Sequence, residues 1–350
     1  MRYPALLNFM HLLPQLEQFD CIIDARSESE FALDHIPGAI NCPVLDDEER
    51  IRVGTMYKQV NAFEAKKVGA ALVAKNIARH IEDLWIDKPR DWKPMVYCWR
   101  GGNRSGSLAH ILARIGWPAI QLDGGYKAYR AYVSEALSLP QPFDFRVVCG
   151  TTGSGKSRLL EVLDAIGAQV LDLEKLAAHR GSVLGNLPSQ PQPSQKMFDS
   201  LIWDKLRHFD PALPVFVESE SKKVGNLRVP DAVMDRMRQS PCISVELSRP
   251  NRVRLLMEDY RHFTDTPDVL NTQLDCLVKL HGRETIDRWH ALANGGAMPE
   301  LVDELLVQHY DPAYIRSIDR NFVQVGQARV LALADIGPDD FMSAARSLHG

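Results

Sequence analysis

"VVCGTTGSGKSRLL", Val147 to Leu160, decides the fold of the larger part of this chain. A short run of valines and a cysteine reads as a buried strand, a glycine-rich turn follows, and an apolar-periodic helix begins. The turn, Gly150, Thr151, Thr152, Gly153, Ser154, Gly155, Lys156 and Ser157, satisfies G-x-x-x-x-G-K-[ST]. Glycines let backbone N–H groups face phosphate oxygens, a lysine reaches the terminal phosphate, and a serine hydroxyl can hold magnesium. The spacing therefore predicts a phosphate loop between strand and helix, the signature of an α/β domain.

Downstream, "AQVLDLE", "PVFVESES" and "CISVELS" read as further strands. No clean aspartate closes the second of these to hold magnesium. Its Glu218 and Glu220 are candidate polar-site carboxylates or, equally, surface acids at a strand end, and Asp172 and Glu174 at the end of the first are further candidates whose alternative is a place in a helix first turn. "GSVLGNLPSQPQPSQ" reads as an exposed loop. From "PNRVRLLMEDYRHF" onward the pattern is helical almost to the end, with Val253, Leu256, Met257 and Tyr260 on one face.

Upstream, "LSLPQPFDF" carries two prolines and no periodicity. A boundary there gives a first domain over 1–137, a linker over 138–145 and a second domain over 146–350. In the first domain "CIID", "MVYC" and "AIQL" read as strands, and "SGSLAHILARIGW" as a helix with Leu108, Ile111, Leu112 and Ile115 on its apolar face. The alternation predicts a second parallel sheet. The segment from Glu48 to Trp85 reads as mainly helical.

One cysteine of this domain stands apart. Cys98 ends an apolar run in "VYCWRGGNRSGS", and Arg100 and Arg104 follow with a glycine pair between them. Backbone N–H groups at a strand-to-helix turn favour an anion and an ionised thiol, and arginines add charge-assisted donors. Cys98 is the candidate nucleophile, with Arg100 and Arg104 beside it. Cys21 and Cys42 lack such surroundings, and the six cysteines are scattered with no C-x-x-C pair, which disfavours a disulfide framework or a cysteine-rich zinc site and leaves no metal site expected.

Of the 350 residues, 45% are hydrophobic and 25% charged, values that exclude disordered and fibrous classes. No apolar run approaches the roughly 20 residues of a membrane span, and the N-terminus lacks a cleavable leader pattern. A cytoplasmic protein without a membrane partner is expected. The net charge of −4 gives no global footprint for nucleic acid. Between Lys222 and Arg254, however, eight basic residues face three acidic ones, so Lys222, Lys223, Arg228, Arg249, Arg252 and Arg254 are candidate phosphate contacts for RNA. Tyr260 and Trp289 could stack on a splayed base, though core packing explains them as well.

"DAR" at Asp24–Arg26, "HIPGAINCP" at His35–Pro43 and the Cys98 loop resemble a rhodanese domain. That resemblance implies a chalcogen-carrying Cys98. Rhodaneses usually place four residues between cysteine and arginine. The five here match rhodanese-like dual-specificity phosphatases, so a phosphatase, or a sulfurtransferase with a regulatory nucleotide-binding domain, is the alternative. With "VGTMYKQ" (Val53–Gln59), "LDLEKLAAHRGS" (Leu171–Ser182) and "ESESKKVGN" (Glu218–Asn226), nearly the whole chain resembles the tRNA 2-selenouridine synthase family. The resemblance implies a rhodanese-like parallel-sheet domain followed by a P-loop NTPase-like α/β domain with a helical C-terminal part. It also implies a transferase that replaces sulfur by selenium at C2 of the wobble 2-thiouridine of tRNA. Selenophosphate and geranyl diphosphate are the implied co-substrates, the latter giving an S-geranylated intermediate. No tightly bound cofactor is expected, magnesium is compatible with Ser157, and a selenophosphate-supplying enzyme is a compatible partner beside tRNA.

Overall fold

The computed structural model describes residues 3–182, 185, 190–260 and 267–349. The chain divides into two compact units, one of residues up to 136 together with 193–204, the other of 137–192 together with 205 onward.

The first unit is built on five parallel strands in the order β1-β5-β4-β2-β3: β1 (Ala5–Leu7), β2 (Cys21–Asp24), β3 (Ile40–Asn41), β4 (Pro94–Tyr97) and β5 (Ile120–Leu122). All four residues of β4 are buried, as expected of a central parallel strand covered on both faces. β2 pairs with it from Cys21↔Pro94 to Asp24↔Tyr97. Behind Cys98 lies an apolar cluster containing Ile23, Val96, Leu108, Leu112 and three tryptophans, Trp85, Trp92 and Trp117. The helix Asn103–Ile115 contributes Leu108 and Leu112 to it as expected, whereas Ile111 is half-buried and Ile115 is exposed. The apolar face runs out there because Gly116, at φ 122°, ends the helix.

The "DAR" and "HIPGA" segments brace this unit. Arg26 and Asp24 form a buried ion pair at 2.6 Å, and the Arg26 guanidinium lies 4.0 Å from the centre of the Tyr126 ring and donates to the Asp34 carbonyl. Buried Asp34 in turn accepts from Tyr126 Oη (2.7 Å) and from Ser200 Oγ (2.8 Å). Trp203 packs against Phe9 and Tyr129. Residues 193–204, which a linker at 138–145 would assign to the second domain, thus group with the first. Their partners lie more than 60 residues away, out of reach of any local sequence signal.

The mainly helical segment is a hairpin of two helices, Asp47–Gln59 and Ala62–His80. Asp46 and Asn61 cap them by accepting from Glu49 N and Glu64 N. They approach closely at Gly69, where a Cβ would stand 3.3 Å from Val53.

The second unit has five parallel strands in the order β12-β11-β6-β8-β7, with β6 (Asp144–Cys149) central. The others are β7 (Gln169–Leu171), β8 (Pro214–Glu218), β11 (Cys242–Leu247) and β12 (Arg329–Leu333), and a small antiparallel pair, β9 (Lys223–Val224) and β10 (Leu227–Arg228), stands apart. The helix Lys156–Ala165 buries Leu159, Leu160 and Leu163 against Val148, Phe216 and Phe341. A second cluster, including Leu270, Ile286, Trp289, Leu301 and Leu305, forms the core of the helical region.

The expectation of helix almost to the end needs correction. β12 adds a strand to β11 over five residue pairs, and the helix Pro338–His349 then returns across the sheet core. As a mostly exposed edge strand, β12 lacks the buried run or clean alternation that announces a strand. Within the expected loop over 181–195, residues 183, 184 and 186–189 lie outside the described residues. Among the described residues, no helix is long and apolar enough to cross a membrane.

Candidate functional site

Each sheet carries one glycine-rich loop at the C-terminal end of its central strand. In the second unit that loop follows Cys149. Gly150, Gly153 and Gly155 have φ of 151°, 75° and 93°, values open to glycine at little cost. Gly155 is the N-cap of the helix Lys156–Ala165. Among the described residues, the amides of Gly153, Gly155, Lys156 and Ser157 find no acceptor in the protein, so they remain available to an anion. Thr151 holds the turn by accepting from Ser154 N at 3.0 Å. Lys156 Nζ donates to the Gly150 carbonyl (2.6 Å) and Thr151 carbonyl (3.4 Å), and it stands 5.6 Å from the Tyr314 ring.

The four strand-end carboxylates take distinct places around this lysine. Asp172 caps the short helix Leu173–Leu176 by accepting from Lys175 N. Buried Glu218 accepts from Glu174 N at 2.7 Å through one oxygen, while its other oxygen has no hydrogen-bond partner among the described residues. Ser157 Oγ donates to Glu174 at 3.4 Å. Gly181 packs so closely on Glu174 and Glu220 that a Cβ would fall 2.6 Å and 2.8 Å from their oxygens. Burial pushes the carboxyls of Glu174 and Glu218 well above the ordinary glutamate value and raises those of Glu220 and Asp172. Burial also lowers the Lys156 ammonium, although Glu174 and Glu220 draw it back up.

The loop opens into a cleft of about 320 Å³ whose walls include Lys156, Ser157, Arg158, Arg180, Tyr260, Tyr310 and Tyr314. Thr152, Ser182, Leu256, Tyr260 and Tyr310 also border an adjoining apolar chamber, lined deeper in by Met257, Leu270, Met298, Leu301, Leu305 and Leu306. Sequence reasoning missed Arg158, Arg180 and Tyr314. Arg158 is held by Glu258 and Asp259 (2.9 Å each), Arg180 lies 4.8 Å from the Tyr260 ring centre, and Tyr314 Oη accepts from Gly150 N at 2.6 Å. Only Arg158, one residue past the loop, had a local signal.

In the first unit, Cys98 sits between β4 and the helix Asn103–Ile115 and is 3% exposed. Its apolar side faces the cluster described above. On its polar side Ser105 Oγ donates to Sγ at 3.1 Å, and Gln121 Nε2 donates to that hydroxyl at 3.1 Å. Tyr126 N and Lys127 N hold the carbonyls of Cys98 and Trp99. Gly101 and Gly125 make this crossing possible, since a Cβ on Gly125 would lie 2.2 Å from the Cys98 carbonyl oxygen. The amides of Gly101, Gly102, Asn103 and Arg104 find no acceptor among the described residues. Arg100 is exposed. Arg104 donates to Glu30 at 2.7 Å and 3.3 Å, so its guanidinium is tied to a carboxylate.

The proposed RNA strip fares differently. Arg252 requires correction as a phosphate contact: it is 6% exposed, donates to the Thr152 carbonyl and forms a paired bridge to Asp311, so it braces the phosphate loop. Lys222 and Arg228 share Asp231, Arg249 meets Asp303, and Arg254 meets Asp335. Lys223 is exposed on β9. Trp289 is fully buried and donates to Glu304, which rules out base stacking in this conformation, whereas Tyr260 borders the cleft.

Comparison with known proteins matches residues 10–132 to the rhodanese-like domain and residues 143–274 to the tRNA 2-selenouridine synthase AAA domain. The tRNA 2-selenouridine synthase of Nitrosomonas europaea is 36% identical over 68% of this chain and 63% of its own length. That of a Sulfurovum species is 35% identical over 72% and 71% respectively. The protein of the same name from Shewanella halifaxensis is 32% identical over 85% of this chain and 89% of its own. With a rhodanese-like unit, a phosphate loop and that extent of identity together, the chain belongs to the tRNA 2-selenouridine synthase family.

Proposed function

We propose that this enzyme exchanges sulfur for selenium at C2 of a wobble 2-thiouridine in tRNA, by way of S-geranylation. The observation that carries this reading is the apolar chamber beside the phosphate loop. A prenyl diphosphate needs a cationic, amide-lined cradle for its head and a dry aliphatic slot for its tail. Lys156 and the free loop amides supply the first, and Leu256, Leu301 and Leu305 the second. A nucleotide base would meet few hydrogen-bond partners there.

Thiocarbonyl sulfur attacks C1 of geranyl diphosphate, the C1–O bond breaks, and diphosphate departs onto the loop while the base loses its N3 proton. Selenium of selenophosphate then adds at C2, geranylthiolate leaves, and water cleaves the remaining P–Se bond. Cys98, Ser105 and the free amides between them form the second anion cradle, which handles the selenium donor. Among the described residues no group of three or more His, Cys, Asp or Glu could hold a metal. A magnesium ion would accordingly rest on diphosphate oxygens and Ser157.

Titration of the purified protein with geranyl diphosphate, ATP and GTP tests this reading. Geranyl diphosphate is expected to bind, and Lys156→Ala to weaken it by about 100-fold or more. Leu301→Trp, which fills the chamber, is expected to weaken geranyl diphosphate while sparing inorganic diphosphate. Nucleotide binding that geranyl diphosphate does not compete away would overturn the assignment.

A further inference from the structure

The segment "VGTMYKQ" belongs to neither anion cradle. It lies in the hairpin Asp47–Gln59 and Ala62–His80, whose first helix has no buried residue. Such a helix contributes little to the core. After an acidic first turn of Asp47, Glu48 and Glu49, the stretch from Arg50 to Arg79 carries seven basic residues and one acidic, Glu64.

What distinguishes these cations is their freedom. In the strip from Lys222 to Arg254 carboxylates already occupy most of the candidate side chains. In the hairpin Arg50 approaches Glu30 and Lys67 pairs with Glu64. Arg52, Lys58, Lys66, Lys75 and Arg79 are exposed, and among the described residues none of them has an acidic partner. Interleaved with them are large apolar side chains facing solvent: Ile51, Tyr57, Val60 and Phe63 are 56–68% exposed. Unpaired cations with exposed aromatics between them make a surface for a polyanion that also offers flat bases, because phosphates take the charge and unstacked bases take the rings.

We propose that this hairpin is a docking arm for tRNA. The inference rests on the tRNA reading above and assigns its anchorage to the hairpin of the first unit instead of the Lys222–Arg254 strip. Charge complementarity selects RNA over a second copy of the chain, which would bring the five free cations of each copy face to face.

The test measures binding of the full-length protein to a tRNA carrying wobble 2-thiouridine, as a function of KCl. Arg52→Glu/Lys58→Glu/Lys66→Glu is compared with wild type, and the Gln triple variant serves in case charge reversal impairs folding. Geranyl diphosphate affinity and thermal unfolding are followed in parallel as checks on the fold. The expected result is at least about 30-fold weaker tRNA binding for the Glu variant, and for either variant a salt slope smaller by about 2–3, with geranyl diphosphate binding retained. Equal affinity and equal slope in wild type and folded variants would overturn the docking arm alone. A wild type that binds no tRNA would overturn the tRNA reading itself.

Discussion

Two central strands of this molecule end the same way, β4 running into Cys98 and β6 into Cys149, each followed by a glycine-rich loop and a helix. The two thiols nevertheless differ in kind. Cys98 Sγ receives the Ser105 hydroxyl, itself oriented by Gln121, at a helix N-terminus with free amides. Cys149 turns back into the sheet, where a hydrogen bond shared with Cys242, with burial behind it, pushes its thiol well above the ordinary value. In the second loop the side chain that lines the cleft is instead a lysine seven residues on, Lys156. A strand-end cysteine is thus a position, and its partners decide whether it is also a reagent.

Replacing each cysteine sharpens that contrast and gives the largest expected effect. Cys98→Ser should abolish selenouridine in tRNA while geranylated thiouridine accumulates, because the Lys156 loop is untouched. Cys149→Ala should leave both modified nucleosides forming and cost about 1 kcal/mol of stability from a small cavity. Mass analysis of nucleosides from cells rescued with each variant checks both. Equal loss in the two would erase the distinction between the thiols.

Next in size is the crossing that shapes the Cys98 loop. Gly125 has φ 55° and no room for a Cβ, so Gly125→Ala should destabilise the first unit by about 2–4 kcal/mol. Gly116→Ala, strained in backbone but open in space, should cost less. Denaturant unfolding distinguishes them, and comparable losses would show that steric closure at Cys98 is unimportant.

The smallest effect concerns the carboxylates of the other loop. Burial raises Glu218 above its unfolded value, so the native state holds more protons than the unfolded state. The stability this provides is complete below the usual glutamate range and is lost as pH rises. Glu218→Gln, which keeps an oxygen for Glu174 N, should flatten the decline and be most stabilising, relative to wild type, near pH 8. An unchanged pH slope in thermal unfolding would mean that Glu218 is ionised in the native cleft.

The phosphate loop, the Cys98 loop and most buried strands were legible in the chain because each is a local pattern of backbone freedom and burial. β12 was not, since an exposed edge strand owes its state to β11 rather than to its own residues. Arg252 misled because a basic residue on an amphipathic helix looks the same whether it meets solvent or Asp311. Likewise, the free cations of the hairpin and the paired ones of the 222–254 strip have similar composition.

The sequence by itself determined two α/β units and where each glycine-rich loop falls, since strand, turn and helix propensities act over a few neighbouring residues. Only the tertiary structure decided which cysteine meets a hydroxyl, which carboxylates crowd Lys156, and which aliphatic chains from residues 256–306 wall a chamber beside the phosphate loop. Those outcomes depend on packing between segments as many as 150 residues apart, and the energy of a charge or a thiol depends on what that packing places next to it.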